Sequence, residues 1–517
     1  MKYIRLLCTL LFGVVVLLFF GLAYPHHLHH QEQYQLFLFD SAYVWDVVKL
    51  PGGIADLLGR FCTQFFLYAW VGAAIIAVLL SAIQLLAVSS CSPKRGGQGS
   101  FGAIEWGLSF VPSFLLWLFL LDENALLGGV WVVLLMLLAA WAFHRLPRGW
   151  IRRMLLIAAV PVLYWMVGPV CVVFFLLMAI GTDGRNGDIA WCGGALVLLG
   201  GMVFLQQNII PVAASKLWFG VHYHRFPTEV PVLLWVAVLS IIVLAICARV
   251  AHRWAVASRH KATAPSVVFQ TVVFALVAVG MGSLVWQNSN FKAEKVMRYD
   301  FMARFQQWNR ILDAINTEKP NNQIGVTVQN LALGMHGMLA DRLFNYNQNG
   351  LLGLLPDVGT DAISPLPTAE AFYQLGMVTV AQRTVFEAQE AILDFQKSAR
   401  CYQRLAQTNL ILGSYEVARK YLTALQKTLF YRDWANKTLP LLGDEAAIAR
   451  HPEYGRLRQY LYQEDFYFGD HVTAEMLERL YHSNTDNRLA YQYLLAYYLL
   501  TGDIENYNQF ISAKKKD

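Results

Sequence analysis

Residues 24–60, between two long apolar runs, concentrate ionisable side chains that could do chemistry. Four of the thirteen histidines lie there, with four of the ten acidic residues that precede residue 290. Carboxylates serve as general bases, neutral imidazoles bind metals, and guanidinium groups bind phosphate. The groups in this stretch are His26, His27, His29, His30, Glu32, Asp40, Asp46, Asp56 and Arg60.

Glu32 and Asp40 are the predicted catalytic acids. A helix over residues 31–46 would lie along the membrane surface, with a large aromatic face and an acidic edge. Such a helix suits general-base chemistry on a substrate presented from lipid. In the alternative interpretation the helix only holds the loop in place, and its acids are solvated.

His29, His30 and Arg60 are the predicted substrate-binding residues. Arg60 follows the turn at 51–53 and could hold a phosphate, whereas the alternative is that it snorkels to the membrane interface. Adjacent histidines in a flexible stretch rarely define a coordination geometry by themselves, so no metal site is predicted. The cofactor stays open, with a divalent metal as one alternative.

Several enzyme motifs are absent from the sequence. It has no Walker loop, no GxSxG, no HExxH and no GxGxxG in a βαβ context, which argues against an ATPase, a serine hydrolase or a dehydrogenase. The seven cysteines form no CxxC pair, so neither a zinc knuckle nor a disulfide framework is indicated.

The composition is that of a membrane protein. Of 517 residues, 56% are hydrophobic and 15% are charged, against about 25% charged in soluble domains. Because charged residues become common only after residue 290, we predict a transmembrane domain over 1–290 and a soluble domain over 291–517. The net charge of +6 comes from Lys and Arg beside apolar runs. That pattern is typical of topology signals and not of nucleic-acid binding.

Apolar runs of about 20 residues predict eight or nine membrane segments. Residues 6–23 are predicted to be an uncleaved signal anchor. Lys2 and Arg5 place the N-terminus in the cytoplasm, so that residues 24–60 are outside and the basic stretch 144–153 is inside. The later runs lie at roughly 65–88, 106–121, 125–143, 154–180, 189–205, 230–247 and 267–286.

Basic residues decide the orientation of the last segments. Four simple spans after residue 153 would leave four basic residues outside, against the positive-inside rule: Arg249, Arg253, Arg259 and Lys261. Gly168-Pro169 removes the conflict if it breaks 154–180 into two short helices, because Pro removes a helix hydrogen bond. The soluble domain is then outside, whereas four regular spans would put it inside.

The C-terminal part is predicted to be helical, with short glycine turns at Gly376, Gly413 and Gly502. The stretch from Gly413 to Tyr421 resembles a tetratricopeptide repeat, and the alternative is a generic array of helical hairpins. Both arrangements offer a groove to a partner. Tyr415 and Tyr421 are the predicted partner-binding residues. The predicted fold is therefore all-α, a polytopic bundle followed by a helical-repeat domain.

The overall plan resembles the C class of glycosyltransferases. The features are the N-terminal anchor, the first outer loop with His29 to Gln33, the turn at 51–53, the broken fifth helix and the helical tail. The resemblance implies a sugar donor linked to lipid phosphate and an essential acid in that loop, matched best by Glu32 and then by Asp40. The loop lacks the acidic pair of that class, since the only such pair before the tail is Asp122-Glu123. Within this plan, the chain looks most like an uncharacterised family of bacterial polytopic proteins with a repeat-like tail.

Two function classes remain open from the sequence. The first is a glycosyltransferase-like enzyme of the cell envelope that acts on a lipid-linked sugar. The second is a membrane-anchored scaffold whose helical tail binds an envelope protein. Both place the chain in the bacterial inner membrane, in contact with membrane lipids. A transporter is a weaker third class, because the spans show few buried charges or internal repeats.

Overall fold

The computed structural model describes residues 2–91, 102–147, 149–181, 186–210, 213–219, 231–257, 267–357, 359, 364–392, 396–462 and 473–514. In these residues the chain forms helices and no β-strand, with one isolated bridge between Asn349 and Leu351. The predicted all-α class is therefore confirmed. The basic residues Arg259 and Lys261 lie outside the described residues.

The chain divides into two units, Met1–Phe291 and Lys292–Asp517. In the first unit, a π-helical turn at Phe19–Ala23 extends the first helix, and 3₁₀ turns lie at Gln64–Leu67 and Gly168–Val170. The α-helices of this unit are α1 Lys2–Leu18, α2 Pro25–Glu32, α3 Ser41–Val48, α4 Gly53–Thr63, α5 Ala69–Cys91, α6 Ala103–Leu108, α7 Val111–Phe119, α8 Gly128–His144, α9 Trp150–Val167, α10 Cys171–Ile180, α11 Asn186–Gln206, α12 Ala214–Phe219, α13 Val232–Ala257 and α14 Val267–Asn288.

By length and composition, six described helices could cross a membrane. Eight or nine segments were predicted, so the count differs. Two predicted spans form the shorter apolar helices Ala103–Phe119 and Gly128–His144, and the 150–180 run counts once. The six are Tyr3–Ala23, Ala69–Cys91, Trp150–Ile180, Asp188–Gln206, Val232–Ala251 and Val268–Asn288, an arrangement compatible with a multi-pass membrane protein.

The predicted break at Gly168-Pro169 is confirmed. Gly168 has a φ of 64°, which favours glycine, and α9 ends directly before it. The Arg152 guanidinium lies 5.4 Å from the Phe143 ring centroid, which is itself 5.4 Å from that of Phe174. A straight helix would separate residues 152 and 174 by about 33 Å. The chain therefore doubles back at the break, and α9 and α10 form a hairpin.

Two hydrogen bonds identify the opposite ends of the first unit. At one end, Arg5 Nε donates to Gln270 Oε1 over 3.2 Å, which joins the starts of α1 and α14. At the other end, the backbone N–H of Asn290 donates to the Tyr24 hydroxyl over 3.0 Å. The first unit therefore ends on the side where α2 begins.

The second unit adds fourteen helices in the described residues, with 3₁₀ turns at Leu343–Asn345 and Leu439–Leu441. They are α15 Phe291–Arg304, α16 Trp308–Glu318, α17 Gln323–Met335, α18 Leu339–Arg342, α19 Pro365–Leu375, α20 Val378–Ala391, α21 Ala399–Ile411, α22 Tyr415–Gln426, α23 Arg432–Thr438, α24 Glu445–Arg450, α25 Tyr454–Gln459, α26 Thr473–Ser483, α27 Arg488–Thr501 and α28 Ile504–Lys514.

Helical hairpins build the second unit, and glycines form their turns. Gly376, Gly413 and Gly502 have φ values of 92°, 80° and 73°, so each ends a helix in the left-handed conformation that glycine adopts at least cost. The three predicted turns are therefore confirmed. Helix α21 begins roughly 34 residues after α19 does, about the length of a tetratricopeptide repeat. Membership of that repeat class stays a prediction.

Candidate functional site

The segment predicted as an outer loop begins with a short polar helix that is buried. Pro25 occupies the first position of α2, where its missing N–H costs no hydrogen bond. Every residue of α2 from His27 to Glu32 is buried, and so are Gln33 and Gln35 beyond it. Buried polar side chains need hydrogen-bond partners, and those partners hold α2 in place.

The connection between α7 and α8 receives two side chains from α2. His27 Nε2 lies 2.8 Å from the carbonyl oxygen of Leu120, so this nitrogen carries the proton and donates it. The Gln31 amide donates to the carbonyl oxygens of Asp122 and Ala125, over 3.3 and 3.2 Å. These contacts fix the rotation of α2 in the bundle.

His29 and His30, the predicted substrate-binding histidines, are 8% and 3% exposed. His30 Nε2 lies 2.7 Å from the Tyr34 hydroxyl. The Gln33 amide donates to the His29 carbonyl oxygen over 3.2 Å. The bundle therefore encloses both histidines, and their role in substrate binding stays a prediction.

The predicted surface helix over 31–46 is also wrong. Helix α2 ends at Glu32, residues 35–40 are not helical, and α3 begins at Ser41. Phe37 packs against Tyr43 and Phe61, with ring centroids 5.6 and 5.5 Å apart. Thr63 Oγ1 donates to Gln35 Oε1 over 3.2 Å. Burial of these side chains against α3 and α4 outweighs the local helical pattern.

Of the two predicted catalytic acids, Glu32 is buried and Asp40 is half-buried. Glu32 is the last residue of α2 and 4% exposed. Asp40 precedes the first residue of α3 in an extended conformation. Glu32 lies in the interior of the bundle. A carboxylate there acts as a strong general base only if the bound substrate displaces water from around it.

Arg60 is paired within α4. Its Nε and Nη2 atoms donate to Asp56 Oδ2 over 3.0 and 2.8 Å. Although burial alone lowers the pKa of Arg60, the Asp56 carboxylate and the Tyr43 hydroxyl raise it above its usual value. The guanidinium is therefore charged, and a phosphate would share it with Asp56. The four-residue spacing of Asp56 and Arg60 was a signal for this pair that the sequence interpretation did not use.

Close backbone contacts dock α3 and α4 on the bundle. Gly52 has a φ of 74°, and its N–H donates to the Tyr164 carbonyl oxygen over 3.2 Å, next to the break in 150–180. A Cβ atom on Gly59 would lie 2.4 Å from the backbone nitrogen of Gly128. Such proximity requires glycine on α4. Arg60 thus sits on a rigidly held helix.

The described residues do not contain a complete metal site. Among them, no three His, Cys, Asp or Glu side chains lie close enough together to hold a metal ion. The divalent metal considered from the sequence therefore has no set of ligands in this part of the chain, and we assign no chemical step to one.

Tyr415 and Tyr421, the predicted partner-binding residues, are half-buried on α22. The Tyr415 hydroxyl donates to Glu445 and accepts a hydrogen bond from Arg458 Nη2 over 2.9 Å. Tyr421 packs against Tyr402, with ring centroids 5.1 Å apart. Their surroundings do not test the predicted role.

The sequence analysis did not identify two sets of ion pairs. In the second unit, Arg400 donates to both carboxylate oxygens of Asp300, over 2.6 and 2.9 Å, and Arg404 donates to Glu370 over 2.6 Å. In the first unit, Arg153 pairs with Asp188 over 2.8 Å. The partners lie far apart in sequence, so spacing could not reveal them.

His27 makes the stability of the first unit depend on pH. Burial lowers its pKa from 6.5 to about 3, against the opposing effect of the Leu120 carbonyl. The unfolded chain therefore binds a proton below pH 6.5 that the folded protein excludes. We expect constant stability above about pH 7.5 and a loss as the pH falls through 6.5 toward 3, of about 2 kcal/mol at about pH 5.

Thermal unfolding of the full chain between about pH 7.5 and pH 5 measures this dependence. His27→Gln keeps an N–H for Leu120 and does not titrate, so it should flatten the curve. Parallel losses in the wild type and in His27→Gln would contradict the role of His27.

Together, six described helices long and apolar enough to cross a membrane and a second helical unit are compatible with a multi-pass helical membrane protein. The chain matches, over residues 1–517, the model of a family of unknown function (DUF6057), and it belongs to that family. The expected membership of an uncharacterised family is confirmed, and the resemblance to the C class of glycosyltransferases stays a prediction. No curated protein and no solved structure matches the chain.

Proposed function

We propose that the chain is a glycosyltransferase-like enzyme of the bacterial inner membrane, which uses a sugar linked to a lipid phosphate. The observation that carries this proposal is the buried carboxylate of Glu32 at the end of a mostly polar helix. Ionisable residues enclosed in membrane proteins are costly and mark functional sites by default.

In this proposal Glu32 is the general base. It takes the proton of an acceptor hydroxyl while that oxygen attacks the anomeric carbon of the sugar. The bond between that carbon and the phosphate oxygen breaks, and the lipid phosphate leaves with the electron pair. His29, His30 and Arg60 bind the phosphate, and Asp40 assists on the same side. Because Glu32 is enclosed, a substrate must enter through movement of residues 33–40.

Turnover of a polyprenyl-phosphate sugar by the purified full chain in lipid tests the proposal. Release of polyprenyl phosphate that depends on Glu32 is the expected result. No release with any such donor, together with binding of an envelope protein that Tyr415 or Tyr421 substitutions abolish, would favour the scaffold instead. The exposed Val417 between these two tyrosines is the observation that keeps the scaffold as a second candidate.

We further expect the C-terminus to lie outside the cytoplasm. The hydrogen bond from Asn290 to Tyr24 supports this expectation, because it brings the end of the first unit to the side of α2. Paired phosphatase and fluorescent-protein fusions after Asp517 measure the side directly. Phosphatase activity without fluorescence is the expected result. The opposite pattern would separate the tail from Glu32 and remove most of the support for the transferase.

A further inference from the structure

A small cavity lies at the end of the first unit opposite to α2. It has a volume of about 50 Å³ and lies where α8 and α10 end and where α9 and α11 begin. One water molecule needs only about 10–15 Å³. The cavity therefore admits a polar group larger than a single water, such as a phosphate.

Of the residues that the structure describes, two arginines and one acid line this cavity, which leaves one positive charge in excess. Arg153 forms an ion pair with Asp188, with N–O distances of 2.9 and 2.8 Å. The Arg152 guanidinium lies over the Phe143 ring, at 5.4 Å from the centroid. Among the described residues, the Asp188 carboxylate attracts the charge of Arg152, but no hydrogen bond from Arg152 is formed. A guanidinium has five N–H donors in a fork that matches two oxygens of a phosphate.

The surface beside the cavity is apolar. The first turns of α9 expose four apolar side chains. They are Trp150 (72%), Ile151 (59%), Met154 (45%) and Leu155 (43%). Exposed apolar side chains on a membrane helix contact acyl chains, and tryptophan prefers the level of the headgroups. A ligand that fits both features carries an anionic head and apolar tails.

We propose that this cavity binds the phosphate of an anionic glycerophospholipid. Arg152 donates to the phosphate oxygens, Arg153 lies beside it in an ion pair with Asp188, and the acyl chains run along α9. Basic pockets between membrane helices on the cytoplasmic side bind such headgroups, and the basic stretch 144–153 predicts that side for this end. The site is separate from Glu32, so neither proposal depends on the other.

Native mass spectrometry of the full chain, titrated with phosphatidylglycerol or phosphatidylcholine, tests the site. We expect phosphatidylglycerol to bind more tightly, and Arg152→Gln to weaken that binding by roughly tenfold. Arg145→Gln is the matched control, because Arg145 belongs to the same basic stretch but stacks on Trp141 at 3.7 Å. It should change the affinity by less than about twofold. Equal binding of both lipids, or wild-type affinity in Arg152→Gln, would overturn the proposal.

A second variant shows whether a loss of lipid binding could come from misfolding alone. Asp188→Asn removes the negative charge and frees Arg153, so it should tighten phosphatidylglycerol binding, which a misfolded protein would not do. Unchanged or weaker binding in this variant would count against the site. Inorganic phosphate distinguishes the sources: displacement of the lipid by inorganic phosphate at similar concentration would mean a small-anion site and overturn the lipid assignment.

Discussion

Replacing Glu32 with glutamine should lower turnover of a lipid-linked sugar by about 100- to 10,000-fold, the usual contribution of general-base catalysis. The amide has nearly the same size as the carboxylate but cannot accept the proton of the acceptor hydroxyl. Because Glu32 is 4% exposed in the bundle, bulk water cannot easily replace it as the base. The loss should appear in kcat more than in KM, since the proton moves only in the transition state.

Asp46→Asn is the matched control for Glu32→Gln. The Asp46 side chain is 68% exposed and pairs with Lys49 over 2.6 Å, so its loss should change turnover by less than about twofold. The turnover of Asp40→Asn should lie between those of Glu32→Gln and Asp46→Asn. Melting temperatures close to the wild type would show that Glu32→Gln folds. Full turnover in that folded variant would exclude Glu32 as the base.

Arg400→Met should destabilise the second unit by about 3–5 kcal/mol, the cost of leaving a buried charge without its partner. Arg400 is 4% exposed and Asp300 is 6% exposed. Arg400 also lies 3.8 Å from Glu370, so its removal leaves one carboxylate unpaired and a second one less well compensated. These residues join α15, α19 and α21. Opening of these helices should become about 100-fold more frequent or more.

Hydrogen exchange in peptides from 291–304 and 399–411 of the full chain measures that opening. Arg419→Met is the control, because Arg419 is half-exposed and lies 3.7 Å from an exposed Glu416; it should cost less than about 1 kcal/mol. Adding Asp300→Leu to Arg400→Met should recover part of the loss, since Arg404 still neutralises Glu370. Unchanged protection in Arg400→Met would show that the pair contributes little to stability.

Local signals in the sequence predicted those features that depend on a few neighbouring residues. Gly168-Pro169 breaks a helix through its own backbone, and Gly376 and Gly413 end helices through their left-handed φ values. The apolar runs likewise predicted membrane helices, although the predicted eight or nine differ from the six described helices that are long enough to span. The positive-inside rule also implied that 150–180 returns to its starting side, but the sequence could not show that α10 packs against α8.

In the predicted site, too, some features follow from local sequence and others only from tertiary packing. Residue types pointed to the stretch 24–60 and to Glu32 within it. The four-residue spacing of Asp56 and Arg60 would also have predicted their pairing, although it was not used. Tertiary packing decided that α2 is enclosed and that 35–40 is not helical. The reason is that burial depends on distant partners: His27 bonds a carbonyl 93 residues away, and Arg400 bonds an acid 100 residues away. Hydrogen-bond and charge partners so far apart leave no periodic pattern in a single sequence, whereas a glycine turn or an apolar helix does.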